Sequence, residues 1–342
     1  MFSTDSLYVN FLTHAYFPDR LAGPHHAKSR EEHLIQAGKL NRHFHVWLSA
    51  TAGETPRPVR MGDLSNGMLK LAMAREVEPR EAGGIGNSAD TANKLYRHVK
   101  AVWRFAQLFA AEGPPIVRSS CTTTPYREMK RKPLAWYPEE IERIVTAAYS
   151  MPGFVGGVPA GDFWSAMVLV AMSLGVRISA QMSIPTANWN RDLQLLLVPC
   201  EAQKQREEQW FDLYPSATAA LERLELVERG VPTLFGDWPF DGDRGWRALR
   251  RHLRRLLVKA GLFDKVGEVT RRDLFHKFRK TVGTEIAIKK GVAAAQEFLG
   301  HSCPSVTKGY IDERRRQRVK ITDVMDDPGV KAAALHVFTQ TA

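Results

Sequence analysis

The chain has 342 residues, 44% of them hydrophobic, which is enough for two domains with real cores. Its 48 Lys and Arg outnumber 37 Asp and Glu, a formal net charge of +11 that points to a polyanionic partner. No apolar run reaches the roughly 18 residues of a membrane helix, and the start Met1-Phe2-Ser3-Thr4-Asp5 lacks the basic and apolar regions of a signal peptide. Cys121, Cys200 and Cys303 are widely spaced, without a second Cys or His at metal-ligand spacing, and read as reduced thiols of a cytoplasmic protein.

Residues 1–28 show no periodicity and are expected to form an irregular arm. Ser29-Arg30-Glu31-Glu32 has the pattern of a capping box, followed by Ile35, Leu40, Phe44 and Leu48 at rough helical spacing. A Pro-rich loop over 54–60, a helix over Leu64 to Ala74 and a Gly-rich loop over Glu78 to Ser88 come next. Gly84-Ile85-Gly86-Asn87-Ser88-Ala89 mimics a dinucleotide fingerprint, but Glu76 to Glu81 before it is no strand, so the match is discarded. Asp90 or Thr91 then caps a helix with the apolar stripe Leu95, Val99, Val102, Ala106 and Phe109. Its Arg97, Lys100 and Arg104 fall on another face, suited to a phosphate backbone. A helical domain over 29–115 thus ends at Gly113-Pro114-Pro115.

Residues 116–133 carry Arg127, Lys130, Arg131 and Lys132 and little apolar content, and are expected to be a flexible basic linker. From Ser88 to Pro133 nine Lys or Arg face three acids. A second domain spans 134–320. Pro138-Glu139-Glu140 opens a helix to about Tyr149, with acids at its positive end. Phe163 to Leu174 is almost wholly apolar and reads as a buried helix, with Arg177 just beyond it. Leu193 to Val198 and Gln209 to Leu213 flank a polar turn and read as a hairpin. The chain is mostly helical from Trp246 onward. Arg244 to Lys259 holds seven basic residues and no acid, and Arg250 and Arg254 within it are expected to touch phosphates. A tail over 321–342 carries Val330, Ala334 and Phe338 on one side of a short helix that must dock to be stable. The whole reads as mostly α with a small β-hairpin.

The densest chemistry lies near the C-terminus. His276 and Arg279, three apart, share a helix face and can address one substrate atom. Leu299-Gly300-His301 follows, and Tyr310 nine residues after the His. Two imidazoles, a guanidinium and a phenol suit attack of a Tyr hydroxyl on a phosphodiester, with cationic donors around the phosphorus. A free phenol with pKa near 10 needs a base and cations beside it to attack at neutral pH. Each residue also has a bland reading: a structural salt bridge for Arg177, packing for His276 and Tyr310, a helix cap for His301, an exposed hairpin position for Lys204.

Taken in order, these motifs resemble the tyrosine recombinases, the phage-integrase family, over roughly residues 90 to 315. The resemblance is strongest after 270: His276-x-x-Arg279, Leu299-Gly300-His301 and Tyr310, preceded by Arg177 at the end of an apolar helix and Lys204 in a hairpin turn. It implies a helical core-binding domain and an α+β catalytic domain closing as a C-shaped clamp on DNA. It implies Tyr310 as nucleophile, Arg177 and Arg279 on the non-bridging oxygens, His301 hydrogen-bonded to the phosphate, His276 as base or donor, and Lys204 as general acid. One departure stands out: the family's acid three residues after the first Arg is Ala180 here.

The function implied is site-specific DNA strand exchange through a 3′-phosphotyrosyl intermediate, without metal, ATP or other cofactor. The partners implied are a double-stranded recombination site, a homotetramer on two duplexes, and accessory DNA-bending proteins. The setting would be cytoplasmic and nucleoid-associated. A type IB topoisomerase-like nicking-rejoining enzyme and an inactive DNA-binding regulator are the alternatives. Integration, excision, resolution and transposition are not distinguished by the sequence.

Overall fold

The computed structural model describes residues 2–23, 26–51, 55–109, 116–128, 132–226, 228–236, 238 and 242–315. The chain divides into two compact units, Met1–Lys130 and Arg131–Ala342. The expected cations Lys130 and Arg131 and the expected tail helix lie outside the described residues.

The first unit is helical. Its N-terminal stretch is α1 (Tyr8–Phe11), a π-helix (Leu12–Tyr16) and α2 (Phe17–Arg20), followed by α3 (Ala27–Thr51), α4 (Asn66–Val77) and α5 (Ala89–Phe109). The irregular arm expected over 1–28 is therefore corrected. Tyr8, Phe11, Leu12, Ala15 and Tyr16 recur at helical intervals and are all buried in the unit's core. Residues 4–8 are also stitched to 59–62, with the Tyr8 amide donating to Val59 O at 2.9 Å and the Met61 amide to Ser6 O at 2.9 Å. The expected capping box at Ser29 lies inside α3, which starts two residues earlier. Ile35 is exposed, because its five-residue step to Leu40 does not return to the same helix face; Ala37, Leu40, Phe44 and Leu48 form the buried stripe.

α4 starts where Ser65 Oγ accepts from the Met68 amide. On α5, Leu95, Val99, Val102 and Ala106 are fully buried, while Phe109 at its end is half exposed. The described part of the expected linker, 116–128, is not free. Asn66 Nδ2 donates to Ser120 O and its Oδ1 accepts from the Thr122 and Thr123 amides. Asn93 does the same for Tyr126, giving to its carbonyl and taking from its amide. Trp103 Nε1 donates to Ser119 O. Two asparagine amides thus stand in for a partner strand, which is how a segment with so few apolar residues is held.

The second unit is built around α7 (Ala160–Leu174), packed by α6 (Pro138–Tyr149) on one side and later helices on others. The Tyr137 amide donates to Glu140 Oε2, closing the first turn of α6. A two-residue hairpin, β1 (Phe154–Val155) and β2 (Val158–Pro159), precedes α7; it is too short to leave a periodic signal. After α8 (Ile178–Met182), β3 (Trp189–Asn190), β4 (Leu195–Val198) and β5 (Gln209–Asp212) form an antiparallel sheet in that order, with Val198 opposite Gln209. The expected hairpin is β4–β5. Then follow α9 (Pro215–Glu222), α10 (Gly242–Lys259), α11 (Phe275–Lys290), α12 (Val292–Phe298) and α13 (Pro304–Lys308). Leu249, Leu253, Leu256 and Leu257 bury one side of α10 and leave its arginines on the other.

Among the described residues no helix is long and apolar enough to cross a membrane. No group of three or more His, Cys, Asp or Glu among them is placed to hold a metal ion.

Candidate active site

Gly175 ends α7 with φ +58°, a left-handed conformation that releases the chain toward Arg177. A Cβ there would lie 2.9 Å from Val282 Cγ1, so glycine also permits the close approach of α7 to α11. α11 begins just after a tight turn in which Thr270 Oγ1 donates to Asp273 Oδ2 at 2.6 Å. His276 and Arg279 follow one turn apart on α11, as the spacing predicts.

Arg279 is 3% exposed and joins three segments. Its Nη1 donates to Gly175 O at 2.8 Å, and its Nη2 to Leu299 O at 2.6 Å and to His301 Nε2 at 3.1 Å. Its Nε, also buried, makes no hydrogen bond of good geometry, although the Tyr310 side chain lies close enough to favour the charged guanidinium. Because the guanidinium can only donate, His301 Nε2 is an acceptor here, so the ring is the neutral tautomer whose Nδ1–H donates to Thr307 Oγ1 at 3.1 Å. His301 is placed by the end of α12, where Leu299 is still helical and Gly300 turns with φ +60°.

The Tyr310 ring lies 4.4 Å from the His301 ring and 5.0 Å from that of His276, centre to centre, and Arg279 Cζ is 5.5 Å from its centre. Its backbone is pinned on both sides. The Tyr310 amide donates to Thr307 O at 2.8 Å, and Tyr310 O accepts from Thr284 Oγ1 at 3.4 Å. Two residues on, buried Asp312 accepts from the Ala135 amide and from Arg314. The phenol-bearing segment is thus seated on its own domain. Sequence reasoning missed Thr284, Thr307 and Asp312, whose roles depend on contacts that no local motif announces.

Arg177 is the N-cap residue of α8 and is partly exposed. It lines a cavity of about 770 Å³ together with Lys204, Gln205, Gly300, His301 and Ser302. It has no acidic partner among the described residues, so the salt-bridge reading of Arg177 does not describe this structure. Ala180, where an acid would sit, is 2% exposed and offers nothing to it. The structure thus brings Arg177, Lys204 and His301 to one cavity, and His276, Arg279, His301 and Tyr310 to one cluster.

The cations around them suppress protonation of the two histidines; Glu207 and Glu297, which also line the cavity, are not among the groups that shift them. Burial, then Arg279 and Arg177, push His301 down to about 4. His276 is exposed at its surface, yet partial desolvation, then Lys280, Arg279 and Arg177, push it down to about 4. Both rings are therefore neutral at pH 7. Burial and the neighbouring Arg177 also lower Arg279, to about 10, which leaves it charged.

A depressed histidine stabilises the fold fully above its unfolded pKa, near 6.5, and loses that contribution as pH falls toward the folded value. The second unit should therefore lose stability between pH 6.5 and 4. Arg177→Ala should raise the pH at which the His276 and His301 imidazoles titrate by NMR. Imidazoles that titrate near 6.5 in the unaltered protein would contradict the arrangement.

The cationic residues assigned to DNA sit in varied surroundings. Arg97 lies 3.5 Å from both Asp90 and Glu128, Lys100 Nζ donates to Tyr96 Oη at 2.6 Å, and Arg104 is exposed without an ion partner among the described residues. The cationic stripe on α5 is therefore partly neutralised, by Asp90 of its own first turn and by Glu128 of the segment that Asn93 holds beside it. Lys132 is 3.7 Å from Glu313. Arg250 and Arg254 line a cleft of about 760 Å³ with Arg247, Arg251, Arg255 and Arg271, none of them in an ion pair among the described residues.

No protein-family model and no curated protein matches the chain. Solved structures do. At 13% identity and a TM-score of 0.60, 82% of the chain overlies 76% of the XerH site-specific recombinase in its pre-cleavage complex with the difH substrate. For a lambda integrase dimer bound to a COC′ core site, 89% of this chain covers 94% of that one, at 17% identity and a TM-score of 0.58. For the Tn1549 transposon integrase with a circular intermediate DNA the figures are 90%, 95%, 15% and 0.58. The chain has the fold of the site-specific DNA recombinases and integrases. That fold is mostly α with a small antiparallel sheet, as expected from the sequence.

Proposed function

We propose that the chain is a tyrosine-type site-specific DNA recombinase. The observation that carries this reading is the seating of Tyr310 against His276, His301 and Arg279, beside a buried Arg279 Nε and an Arg177 that both lack an anionic partner among the described residues. A scissile phosphate supplies the missing acceptor. Tyr310 Oη attacks the phosphorus and gives its proton to neutral His276, forming a 3′-phosphotyrosyl bond. The 5′ oxygen leaves and takes a proton from Lys204 Nζ.

Arg177 and Arg279 hold the non-bridging oxygens, where planar guanidinium forks fit better than lysine. His301 strengthens this grip if it takes up a proton as the phosphate enters, because its Nε2 then donates. The 5′ hydroxyl of a second strand reverses the sequence, so bond energy is conserved and neither ATP nor metal is required.

The likeness to a lambda integrase tetramer on a Holliday junction supports a homotetramer acting on two duplexes. Accessory DNA-bending proteins belong to the same reading. The test is capture of denaturation-resistant adducts from a pool of randomised nicked duplexes, then exchange between two duplexes carrying the captured sequence. Adducts without exchange would indicate a nicking-rejoining enzyme; sequence-selective binding without adducts would indicate a regulator.

In this reading the α10 arginines and the α5 cations contact phosphates. Removing one phosphate contact flattens the salt dependence of DNA binding by ~0.9 units of log–log slope. Arg104→Ala and Arg250→Ala should each do so. Arg97→Ala should change the slope by less than half as much, because Asp90 and Glu128 already offset its charge. Equal effects from Arg97 and Arg104 in salt titrations would show that the ion pairs give way to DNA.

A further inference from the structure

Lys204 stands on an exposed turn between β4 and β5 and makes no ion pair among the described residues, so something else must aim it. Its two neighbours are glutamines with defined contacts. Gln203 is 8% exposed, and its Nε2 donates to Glu207 O at 3.0 Å across the turn. Gln205 Nε2 donates to Gln203 Oε1 at 2.6 Å. The Gln205 amide lies over Gly300, where a Cβ would come within 2.8 Å of Gln205 Cδ. At the foot of the hairpin, Gln209 Nε2 donates to Phe298 O at 3.1 Å. The turn reverses at Arg206, a non-glycine residue with φ +58°. The Lys204 turn is therefore fastened by amides at two points to the end of α12, the segment that places His301.

We propose that Gln205, backed by Gln203 and seated on Gly300, is a positioning residue that sets Lys204 over the cavity it shares with Arg177 and His301. The proposal rests on the reading of Lys204 as general acid. A neutral amide suits the task. It supplies one donor for Gln203 and a flat face for the glycine, and it adds no further negative charge to a cavity that Glu207 and Glu297 already line. The missing Cβ of Gly300 leaves room for the amide.

The test uses the full-length protein and two duplexes carrying the captured sequence. One has the natural bridging oxygen at the scissile phosphate and the other a bridging 5′ sulfur, which leaves as a thiolate without needing an acid. Lys204→Ala should slow adduct formation on the oxygen duplex by ~10²–10⁴ and recover nearly wild-type rate on sulfur. Gln205→Ala should slow the oxygen duplex by ~10-fold or more through misplacement of the acid, and should likewise recover on sulfur. Its melting temperature and noncovalent DNA binding should be unchanged.

A wild-type rate for Gln205→Ala on oxygen, or a defect that persists on sulfur, would overturn the positioning role. If Lys204→Ala is not rescued by sulfur, the general-acid assignment falls and takes this proposal with it. A Tyr310-dependent adduct would in that case still uphold the recombinase reading.

Discussion

Tyr310→Phe should abolish the covalent adduct while leaving DNA affinity and stability essentially unchanged. The substitution removes one hydroxyl and keeps the ring, and the ring makes the packing contacts: 4.4 Å to His301 and 5.0 Å to His276 between centres. The backbone anchors to Thr307 and Thr284 do not involve the phenol oxygen. Denaturing gels on nicked duplexes measure the adduct, and band shifts the affinity. An adduct formed by the Phe variant would place the nucleophile elsewhere.

The same anchors make a second outcome specific. Since Tyr310 is held against the His276 and Arg279 of its own chain, a mixture of Tyr310→Phe and Arg177→Ala proteins should not recover cleavage. Recovery would mean that the nucleophile is delivered to a neighbouring protomer's site.

Arg177→Ala and Arg279→Ala should both suppress cleavage yet differ sharply in stability. Loss of a donor to the developing phosphorane charge lowers cleavage by ~10²–10³ in either case. Arg177 makes no ion pair among the described residues and is partly exposed, so its removal should leave the melting temperature nearly unchanged or raise it slightly by relieving repulsion from Arg279. Arg279 is different. Its loss leaves the buried Gly175 and Leu299 carbonyls without their donor, a cost of about 3 kcal/mol. For a unit of this size that lowers the melting temperature by about 6–12 °C. Calorimetry separates the two variants, and equal melting temperatures would refute the keystone role of Arg279. Arg279→Lys should rescue neither property well, because one ammonium cannot reach two carbonyls and an imidazole in fixed planar directions.

Much of the second unit was legible because its signals are local. The Pro138-Glu139-Glu140 start, the apolar run ending at Leu174 and the one-turn spacing of His276 and Arg279 each depend on a few adjacent residues, and α6, α7 and α11 lie where those signals put them. The first unit was harder to read. Tyr8 to Tyr16 carries a helical stripe, but it is short, opens among polar residues and is interrupted by a π-turn, so its burial follows from packing against the rest of the unit. Likewise, nothing in 116–128 announces that Asn66 and Asn93 will hold it, since each asparagine lies more than thirty residues away in sequence.

The sequence by itself determined the cast of the candidate site: which imidazoles, guanidinium groups, lysine and phenol could act together, in what order, and with Ala180 in place of an acid. Only the tertiary structure decided their states. It placed three Arg279 donors on Gly175, Leu299 and His301, and left Nε without a hydrogen bond of good geometry. It also made both histidines neutral and brought Lys204 to the Gly300 turn through glutamines. The reason is physical. Residue type sets which proton or charge a group can carry, whereas burial, neighbouring charge and the direction of each hydrogen bond set whether it carries it, and those depend on segments far apart in the chain.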